Sequence, residues 1–423
     1  MRFDATTPPR GATPAALPHV AAATRAPMST RQAFRALAPA RQRLARRDAD
    51  IVRAQVELAQ IAAPTGEEGE RGAWVARRFT SCGLRDVHVD AAGNVLGRGP
   101  AARDLEPVVV CAHLDTVFPR DVPLAVRRDG PRIVGPGIND NGRGLAVTLA
   151  LAEELARGRV RTNRPIEFVA TTGEEGVGDL RGAKHFFALR GREVGAVIAL
   201  DGAGDERVIH RALGSRRFRI SFCGAGGHSW SAFGTPNPVH AAACCAATLA
   251  RLTLPADPRT TLSVGRIGGG MSVNSIPDTA WLEVDLRSTS TALLDRYERE
   301  IRSAARVALD EENARRAGGA GALSLALEII GDRPGGETPV EHPLVQSALE
   351  ATRLVGRSPE LALASTDANV PMSRGIPAIA IGAGGRGGDA HTPREWFENA
   401  DGTLGVARAL TIVVAAAGLV GAD

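Results

Sequence analysis

The chain has 423 residues, of which 44% are hydrophobic and 23% charged, a composition typical of globular proteins and long enough for two domains. Its formal net charge is +4, but residues 1–47 hold nine arginines and one acidic residue. The rest of the chain therefore has 42 basic and 46 acidic side chains and a charge of −4. These features predict neither a nucleic-acid-binding surface nor a membrane protein, since no apolar run is long enough to cross a bilayer.

Segment 1–47 is rich in Ala, Pro and Arg, and we expect it to be a disordered arm. Two alternatives remain open: a start codon assigned too early, with Met28 as the true start, or an organellar transit peptide. The five cysteines are odd in number and contain no C-x-x-C pair. They predict free thiols in a reducing compartment, and hence a cytoplasmic protein.

From residue 48 onward, helical and strand patterns alternate. The predicted elements, in chain order, are helices 48–61 and 71–82, a hairpin turning at Gly93–Asn94, strand 108–112, helix 145–156, strand 166–170, helix 182–190 and strand 196–200. Alternation of this kind predicts an α/β fold with a mostly parallel sheet.

The pattern changes near Leu213. Residues 213–332 follow the order β-α-β-β-α-β, which predicts a ferredoxin-like α+β insert. The α/β pattern then resumes with helices 342–355 and 367–374, strand 378–381 and a C-terminal helix. The larger domain is therefore predicted to be split, at 48–212 and 333–423, around the insert.

Titratable side chains follow the predicted strands of the larger domain. They are His113 and Asp115, Asp140 at a helix start, the pair Glu174 and Glu175, Asp201, and His391 in a glycine-rich loop. Each alone has a commoner structural explanation, such as a helix cap for Asp140. Together at one edge of a parallel sheet, the carboxylates would repel one another without a cation.

Two histidines and three carboxylates suit a pair of divalent transition metals, with one carboxylate bridging them. Two zinc ions about 3.5–4 Å apart form a hydrolytic centre. His113 and Asp115 are two residues apart and face the same way from an extended strand. We therefore expect Asp115 to orient the His113 ring.

Several motifs share their order and spacing with a known family. They are HLDTVFP, GPGINDNGRGLA, TTGEEGVGDLRGA, ALD, GGHS, VNSIPDTAWLEVDLRS and AHTPREW. Through them the chain after residue 48 resembles the co-catalytic dizinc metallopeptidases and deacylases. That family includes tripeptide aminopeptidase, glutamate carboxypeptidase, acetylornithine deacetylase and succinyl-diaminopimelate desuccinylase. The resemblance implies a zinc-exopeptidase-like catalytic domain with an inserted lid and dimerisation domain.

The resemblance also implies roles for the residues at the strand ends. It makes His113 and Asp201 ligands of separate zinc ions and Asp140 the bridging ligand, with a cis peptide bond after Asp140. The remaining roles concern the second metal and the general base: Glu175 and His391 complete the second metal's shell, and Glu174 is the base. Cobalt or manganese could replace zinc.

In the lid, the resemblance implies that His228 polarises the scissile carbonyl group from the partner subunit of a homodimer. Asn274 would position the substrate. Arg287 and Arg333 are candidates to bind a substrate carboxylate through their guanidinium groups. A structural ion pair is the alternative for Arg287, and a hinge role is the alternative for Arg333.

The expected reaction is hydrolysis of an amide bond by metal-bound hydroxide, with an exopeptidase acting on di- or tripeptides as the leading interpretation. Asp201 resembles the aminopeptidase and dipeptidase branch, whereas HLDTVFP also resembles the glutamate carboxypeptidase. An N-acyl amino acid deacylase or amidohydrolase is the alternative, and a non-catalytic binding protein on this fold is a remote one. The expected partners are a small substrate and a second copy of the chain, with no nucleic acid and no membrane.

Overall fold

The computed structural model describes residues 28–157, 160–191 and 193–420. Its helices are α1 Thr30–Ala36, α2 Ala38–Arg46, α3 Asp48–Ala59, α4 Gly69–Cys82, α5 Gly142–Ala156, α6 Arg181–Arg190, α7 Pro238–Ala250, α8 Thr291–Ala314, α9 Pro343–Leu354, α10 Asn369–Ser373 and α11 Gly402–Ala417.

Its strands are β1 Arg85–Val89, β2 Val95–Arg98, β3 Val108–His113, β4 Arg127–Asp129, β5 Arg132–Val134, β6 Ile166–Thr171, β7 Ala196–Leu200, β8 Arg207–Ala212, β9 Gly214–Cys223, β10 Gly227–His228, β11 Thr260–Gly269, β12 Ser275–Ile276, β13 Thr279–Ser288, β14 Ser324–Arg333, β15 Gly336–Glu337, β16 Glu360–Ala364, β17 Ala378–Ile381, β18 Arg386–Gly388 and β19 Trp396–Glu398.

The largest sheet has nine strands in the order β1-β2-β6-β3-β7-β17-β8-β15, with β16 paired to β8. Its centre, β6-β3-β7-β17, is parallel, and β2 and β8 pair antiparallel with its two outer strands. Strands β1 and β15 pair antiparallel with β2 and β8, respectively. Every residue of the four central strands is buried. Such unbroken burial is typical of parallel strands covered by helices on both faces. The predicted α/β fold is confirmed.

Helices cover the two faces of this sheet unequally. Each face has its own cluster of buried apolar side chains, one larger than the other. Alternate residues of β3 point to opposite faces, so Val108 and Val110 lie in the larger cluster, and Val109 and Cys111 lie in the smaller one. The larger cluster draws on α2, α3, α4, α5, α9 and α11, and the smaller mainly on α6 and α10. Cys111 is therefore a buried apolar side chain of the core.

Helices α1 and α2 correct the prediction for the N-terminal arm. Ser29 and Gln32 form a capping box at the start of α1, and Leu37 and Leu44 are buried in the larger core cluster. The proline of α2 lies in its first turn, where no backbone N–H is needed. The expected disorder is wrong for residues 30–46. Residues 1–27 lie outside the described residues.

The segment from β9 to β14 forms a second layer, within one residue of the predicted limits 213–332. Its sheet has the antiparallel order β11-β13-β9-β14. Helices α7 and α8 cover one face through an apolar cluster that includes Phe218, Ile220 and Phe222. The burial of β13 alternates residue by residue, as expected for a sheet with one solvated face.

A small sheet of four short strands, in the order β18-β19-β5-β4, was not predicted. Its strands have three residues each, too few for a visible alternation of apolar and polar positions. It pairs chain segments 132–134 and 396–398, which carry the loops of Asp140 and His391. Among the described residues, no helix combines the length and apolarity needed to cross a bilayer.

Candidate metal centre

Three parallel strands deliver titratable side chains to one edge of the large sheet. His113 is the last residue of β3, Glu174 and Glu175 follow β6, and Asp201 follows β7 directly. These strands run in the same direction, so their carboxyl ends meet at the same edge. Asp140 and His391 reach that edge from the loops that flank the small sheet.

Six of these side chains form overlapping groups of potential metal ligands. His113, Asp140 and Asp201 each offer a ligand atom, and these atoms lie within 4.8 Å of one another. The same holds for the group of Asp140, Glu175 and His391, and for the group of His113, Glu174 and Glu175. The first two groups, which we call trio A and trio B, share Asp140.

Asp140 directs one carboxylate oxygen to the histidine of trio A and the other to the histidine of trio B. Its Oδ1 lies 3.0 Å from His113 Nε2, and its Oδ2 lies 3.2 Å from His391 Nε2. This is the arrangement expected of a carboxylate that bridges two cations. The donors are imidazole nitrogens and carboxylate oxygens, a set that suits zinc and its neighbours among the transition metals.

His113 and Asp201 lie together in trio A, whereas the resemblance assigned them to separate metals. His113 Nε2 and Asp201 Oδ1 are 3.8 Å apart, and both belong to trio A. The adjacency arises because β3 and β7 are neighbours in the sheet. The peptide bond between Asp140 and Asn141 is cis, as the resemblance implied.

The pKa values of the side chains around Asp140 are also consistent with a site for a cation. Hydrogen bonding to Asp140, together with the charge of Glu175, raises the pKa of His391 to about 9. Burial raises the pKa of Glu175, and the charge of Asp140 adds to that rise. A proton on His391 thus neutralises the same carboxylates that a metal ion would neutralise.

Asp115 has a double role in this structure. His113 Nδ1 donates to the backbone carbonyl oxygen of Asp115 at 3.0 Å, whereas Oδ1 of the Asp115 carboxylate is 3.6 Å from the same nitrogen. Since a carbonyl oxygen only accepts, this bond leaves His113 Nε2 free to face the cluster. The carboxylate instead accepts from the backbone N–H groups of Glu174 and Glu175, both at 2.9 Å. Asp115 therefore holds two segments of the site at once.

Arg333 lies beside the predicted general base. Its Nη1 donates to Glu174 Oε1 at 3.1 Å and to Ser365 Oγ at 3.2 Å, and its Nη2 donates to the Glu174 carbonyl oxygen. Burial raises the pKa of Glu174 well above its usual range, against the opposing charges of His113 and Arg333. Arg333 is thus brought to the centre, with its guanidinium group already paired.

The other three candidate residues of the insert lie elsewhere among the described residues. His228 is exposed on β10, where its Nδ1 accepts from the Trp230 N–H at 3.2 Å. Asn274 is exposed and directly precedes β12, and its backbone carbonyl oxygen accepts from the Ser229 N–H at 3.0 Å. No hydrogen bond of these side chains reaches trio A or trio B in the part of the chain that the structure describes.

Arg287 donates from Nε to Asp285 Oδ2 at 2.7 Å, with 40% of its side chain exposed. The ion pair that was left open as its structural alternative is therefore present.

Sequence reasoning missed four polar side chains around the centre: Asn139, Asn141, Asp367 and Glu395. Asn141 caps α5 by accepting from the Gly144 N–H at 3.0 Å, which leaves Asp140 free of the capping role. Asp367 is buried and accepts from the Thr171 hydroxyl group, and burial raises its pKa to about 6. A cap one residue after Asp140 could have been found from the sequence, because Asn is a favoured N-cap.

The sequence profile of the Peptidase family M20/M25/M40 matches residues 109–415. No curated protein matches the chain in sequence. Solved structures share its fold at low identity. A tripeptidase from Staphylococcus aureus has 22% identity and a TM-score of 0.70, with 87% of this chain and 98% of that chain covered. A dinuclear metal-binding peptidase of the M20 family from Bacillus subtilis has 17% identity and a TM-score of 0.61, with coverage of 86% and 97%.

An amidase of the hydantoinase/carbamoylase family from Burkholderia vietnamiensis has 17% identity and a TM-score of 0.64, with 89% of this chain and 97% of that chain covered. The family match extends over most of the chain and includes every residue of both trios. The chain belongs to peptidase family M20/M25/M40 and is a metal-dependent enzyme that hydrolyses amide bonds.

Proposed function

We propose that the enzyme is an exopeptidase acting on di- or tripeptides, with zinc as the preferred metal. The observation that carries the proposal is the pair of trios that share Asp140 and have Glu174 at their side. His113 and Asp201 would hold one ion, and Glu175 and His391 the other, with Asp140 between them. The tripeptidase among the similar structures supports a short peptide as substrate.

Divalent ions bound by these residues would supply Lewis acidity, which polarises an amide carbonyl group and lowers the pKa of water. Glu174 would accept a proton from the attacking water as its oxygen bonds to the carbonyl carbon. It would then return that proton to the nitrogen as the C–N bond breaks. The products are an amine and a carboxylic acid, whose remaining proton passes to the amine to give a carboxylate and an ammonium group. Burial of Glu174 suits this task, because its raised pKa makes the carboxylate a stronger proton acceptor.

His228 is proposed to act on the substrate in the partner subunit of a homodimer formed through residues 213–332. It lies on a ribbon made by β10 and β12, and the segments that follow β10 and precede β12 carry large exposed apolar side chains. Trp230 is 87% exposed, Phe233 88% and Met271 92%. A cluster of this kind is typical of a surface that another protein covers. A second copy of the chain would bury it and bring His228 to a metal centre.

Asn274 and Arg287 are proposed to contact the substrate from the same lid. Asn274 is next to Ser275, which pairs with His228 in the ribbon, so both side chains would enter a partner's site together. Arg287 could bind a substrate carboxylate if it exchanged its exposed partner Asp285 for the ligand.

We propose that the enzyme is cytoplasmic, and the five free cysteines support this proposal. Adjacent residues Cys244 and Cys245 are not joined to each other or to another cysteine. Free thiols are typical of a reducing compartment.

An N-acyl amino acid deacylase or amidohydrolase is the second candidate, supported by the amidase among the similar structures. Both reactions use the same residues on an amide bond, and only the substrate pocket differs. The test is hydrolysis of dipeptides, tripeptides, N-acetyl amino acids and N-succinyl amino acids by metal-loaded protein, with Glu174→Gln as the background control. Cleavage of N-acyl amino acids alone would favour the second candidate. Cleavage of none of these compounds would contradict both.

A further inference from the structure

Glu395 is a completely buried carboxylate close to the metal centre, with 0% of its surface exposed. It lies four residues after His391 and directly before β19. Among the described residues, neither Arg, Lys nor His forms an ion pair with it. A buried carboxyl group without a cationic partner depends on hydrogen bonds for its stability.

Three backbone N–H groups of one loop supply those bonds. Glu395 Oε1 accepts from Asn139 and from Asp140, both at 2.7 Å, and Oε2 accepts from Gly137 at 3.1 Å. The Glu395 carbonyl oxygen also accepts from the Gly135 N–H at 2.9 Å. One residue thus satisfies four donors of the loop that ends at the shared metal ligand.

The small sheet brings Glu395 and this loop together. Trp396 pairs with Val134, so the residue before β19 comes to lie beside the loop that leaves β5. The loop is tightly packed there: Gly137 has a φ of +67°, and a Cβ atom on it would lie 2.7 Å from Thr116 Cγ2. The loop therefore has little freedom to choose another path while its N–H groups are paired.

The same loop also reaches trio A from a second direction. Asn139 Oδ1 accepts from the Ala203 N–H at 2.7 Å, and Asn141 Oδ1 accepts from the Gly202 N–H at 3.1 Å. Both donors follow Asp201 immediately in the chain. The position of the loop accordingly affects the relative position of Asp140 and Asp201.

We propose that Glu395 is a positioning residue for the metal centre: its carboxylate holds loop 137–140 so that Asp140 faces both trios. This inference rests on the proposed metal-binding role of the two trios. Loss of the carboxylate would leave up to three N–H groups unpaired, and the loop would move to find other partners. Residues that orient metal ligands typically change metal affinity by about 10–100-fold when they are replaced.

The test compares Glu395→Gln and Glu395→Ala with the control Glu398→Gln. The control removes the same charge from the next strand, and the Glu398 side chain makes no hydrogen bond among the described residues. Affinities for zinc and for cobalt(II) are measured by competition with a chelator, without any substrate. The absorption spectrum of the cobalt-loaded protein reports the geometry of the ligands.

We expect Glu398→Gln to match the wild type and Glu395→Gln to bind metal about 10–100-fold more weakly, with an altered cobalt spectrum. Glu395→Ala should bind more weakly still, because a glutamine oxygen can retain some of the N–H groups. Wild-type affinity and spectrum in Glu395→Gln would overturn the proposal. So would failure of both Glu395 variants to fold, by circular dichroism of the metal-free proteins, because the residue would then serve the whole fold. If the wild type itself bound no divalent metal, the proposed function would fail instead.

Discussion

Arg333 and Glu174 form an ion pair in which both side chains are more than nine-tenths buried, with Nη1 3.1 Å from Oε1. The residues are 159 positions apart in the chain. Arg333 ends the last strand of the insert, whereas Glu174 follows a strand of the large sheet. The pair therefore joins the end of the insert to the predicted general base.

Removal of one partner should leave a buried charge without its counterion. We expect Arg333→Met to lower the free energy of unfolding by about 3–5 kcal/mol, measured by urea denaturation. Arg287→Met is the control, because its ion pair is exposed and should contribute about 0–1 kcal/mol. Equal effects of the two substitutions would show that the Arg333 pair is no stronger than a surface pair.

Kinetics can separate the predicted binding of a substrate carboxylate by Arg333 from a role in positioning Glu174, which its ion pair suggests. If it positions Glu174, Arg333→Lys should lower kcat equally for a peptide and for the same peptide with an amidated C-terminus. If it binds the substrate carboxylate, KM should rise for the free peptide only.

Glu174 and Glu175 are adjacent but should respond differently to the loss of a carboxylate. Glu174→Gln should lower kcat by about 10²–10⁴-fold with little change in metal content, because only the proton acceptor is removed. Glu175→Gln should lower metal occupancy, with activity partly restored by excess metal. Metal content by elemental analysis and kcat are measured for both variants. If Glu174→Gln is the variant that loses metal, the roles of proton acceptor and metal ligand are reversed.

Because Asp140 is shared by the two trios, its loss should affect both metals. We expect Asp140→Asn to lower the binding of two ions and Asp201→Asn to lower mainly that of one, as measured by metal titration of protein treated with chelator. Chelation should abolish hydrolysis by the wild type, and zinc, cobalt or manganese should restore it. Full activity in thoroughly metal-free protein would contradict a metal-dependent mechanism.

The proposed dimer can be tested by mixing two inactive variants. His228→Ala subunits retain a complete metal centre, and Glu174→Gln subunits retain His228. If His228 acts across the interface, mixed dimers should contain one site with both residues intact and regain part of the activity. Subunit exchange is verified with differently tagged chains, and continued inactivity after exchange would disprove the cross-subunit role.

Helix α2 should contribute to stability, contrary to the expectation of disorder. Leu44 is buried in the larger core cluster, so Leu44→Ala should cost about 2–5 kcal/mol. Leu105→Ala, at a position that is 39% exposed, should change stability by less than about 0.5 kcal/mol. Thermal or urea unfolding measures both, and an unchanged stability of Leu44→Ala would show that α2 does not pack as described.

Much of the fold and the centre followed from local patterns in the sequence. The apolar run that ends at His113 predicted a buried parallel strand, because alternate residues must pack on opposite faces of a covered sheet. Parallel strands end at a common edge, so His113, Glu175 and Asp201 could be expected to lie near one another before any contact was known.

Only the tertiary structure decided which side chains contact one another and which potential metal ligands belong to the same trio. Glu395 contacts Asp140 from 255 residues away, and no local pattern marks such a hydrogen bond. The pairing of β3 with β7 put His113 and Asp201 in the same trio, which the resemblance had assigned to separate metals. Helices α1 and α2 were missed because this segment has few apolar side chains. Leu44 of α2 and Leu37, between the two helices, become part of a core only when they pack against other helices.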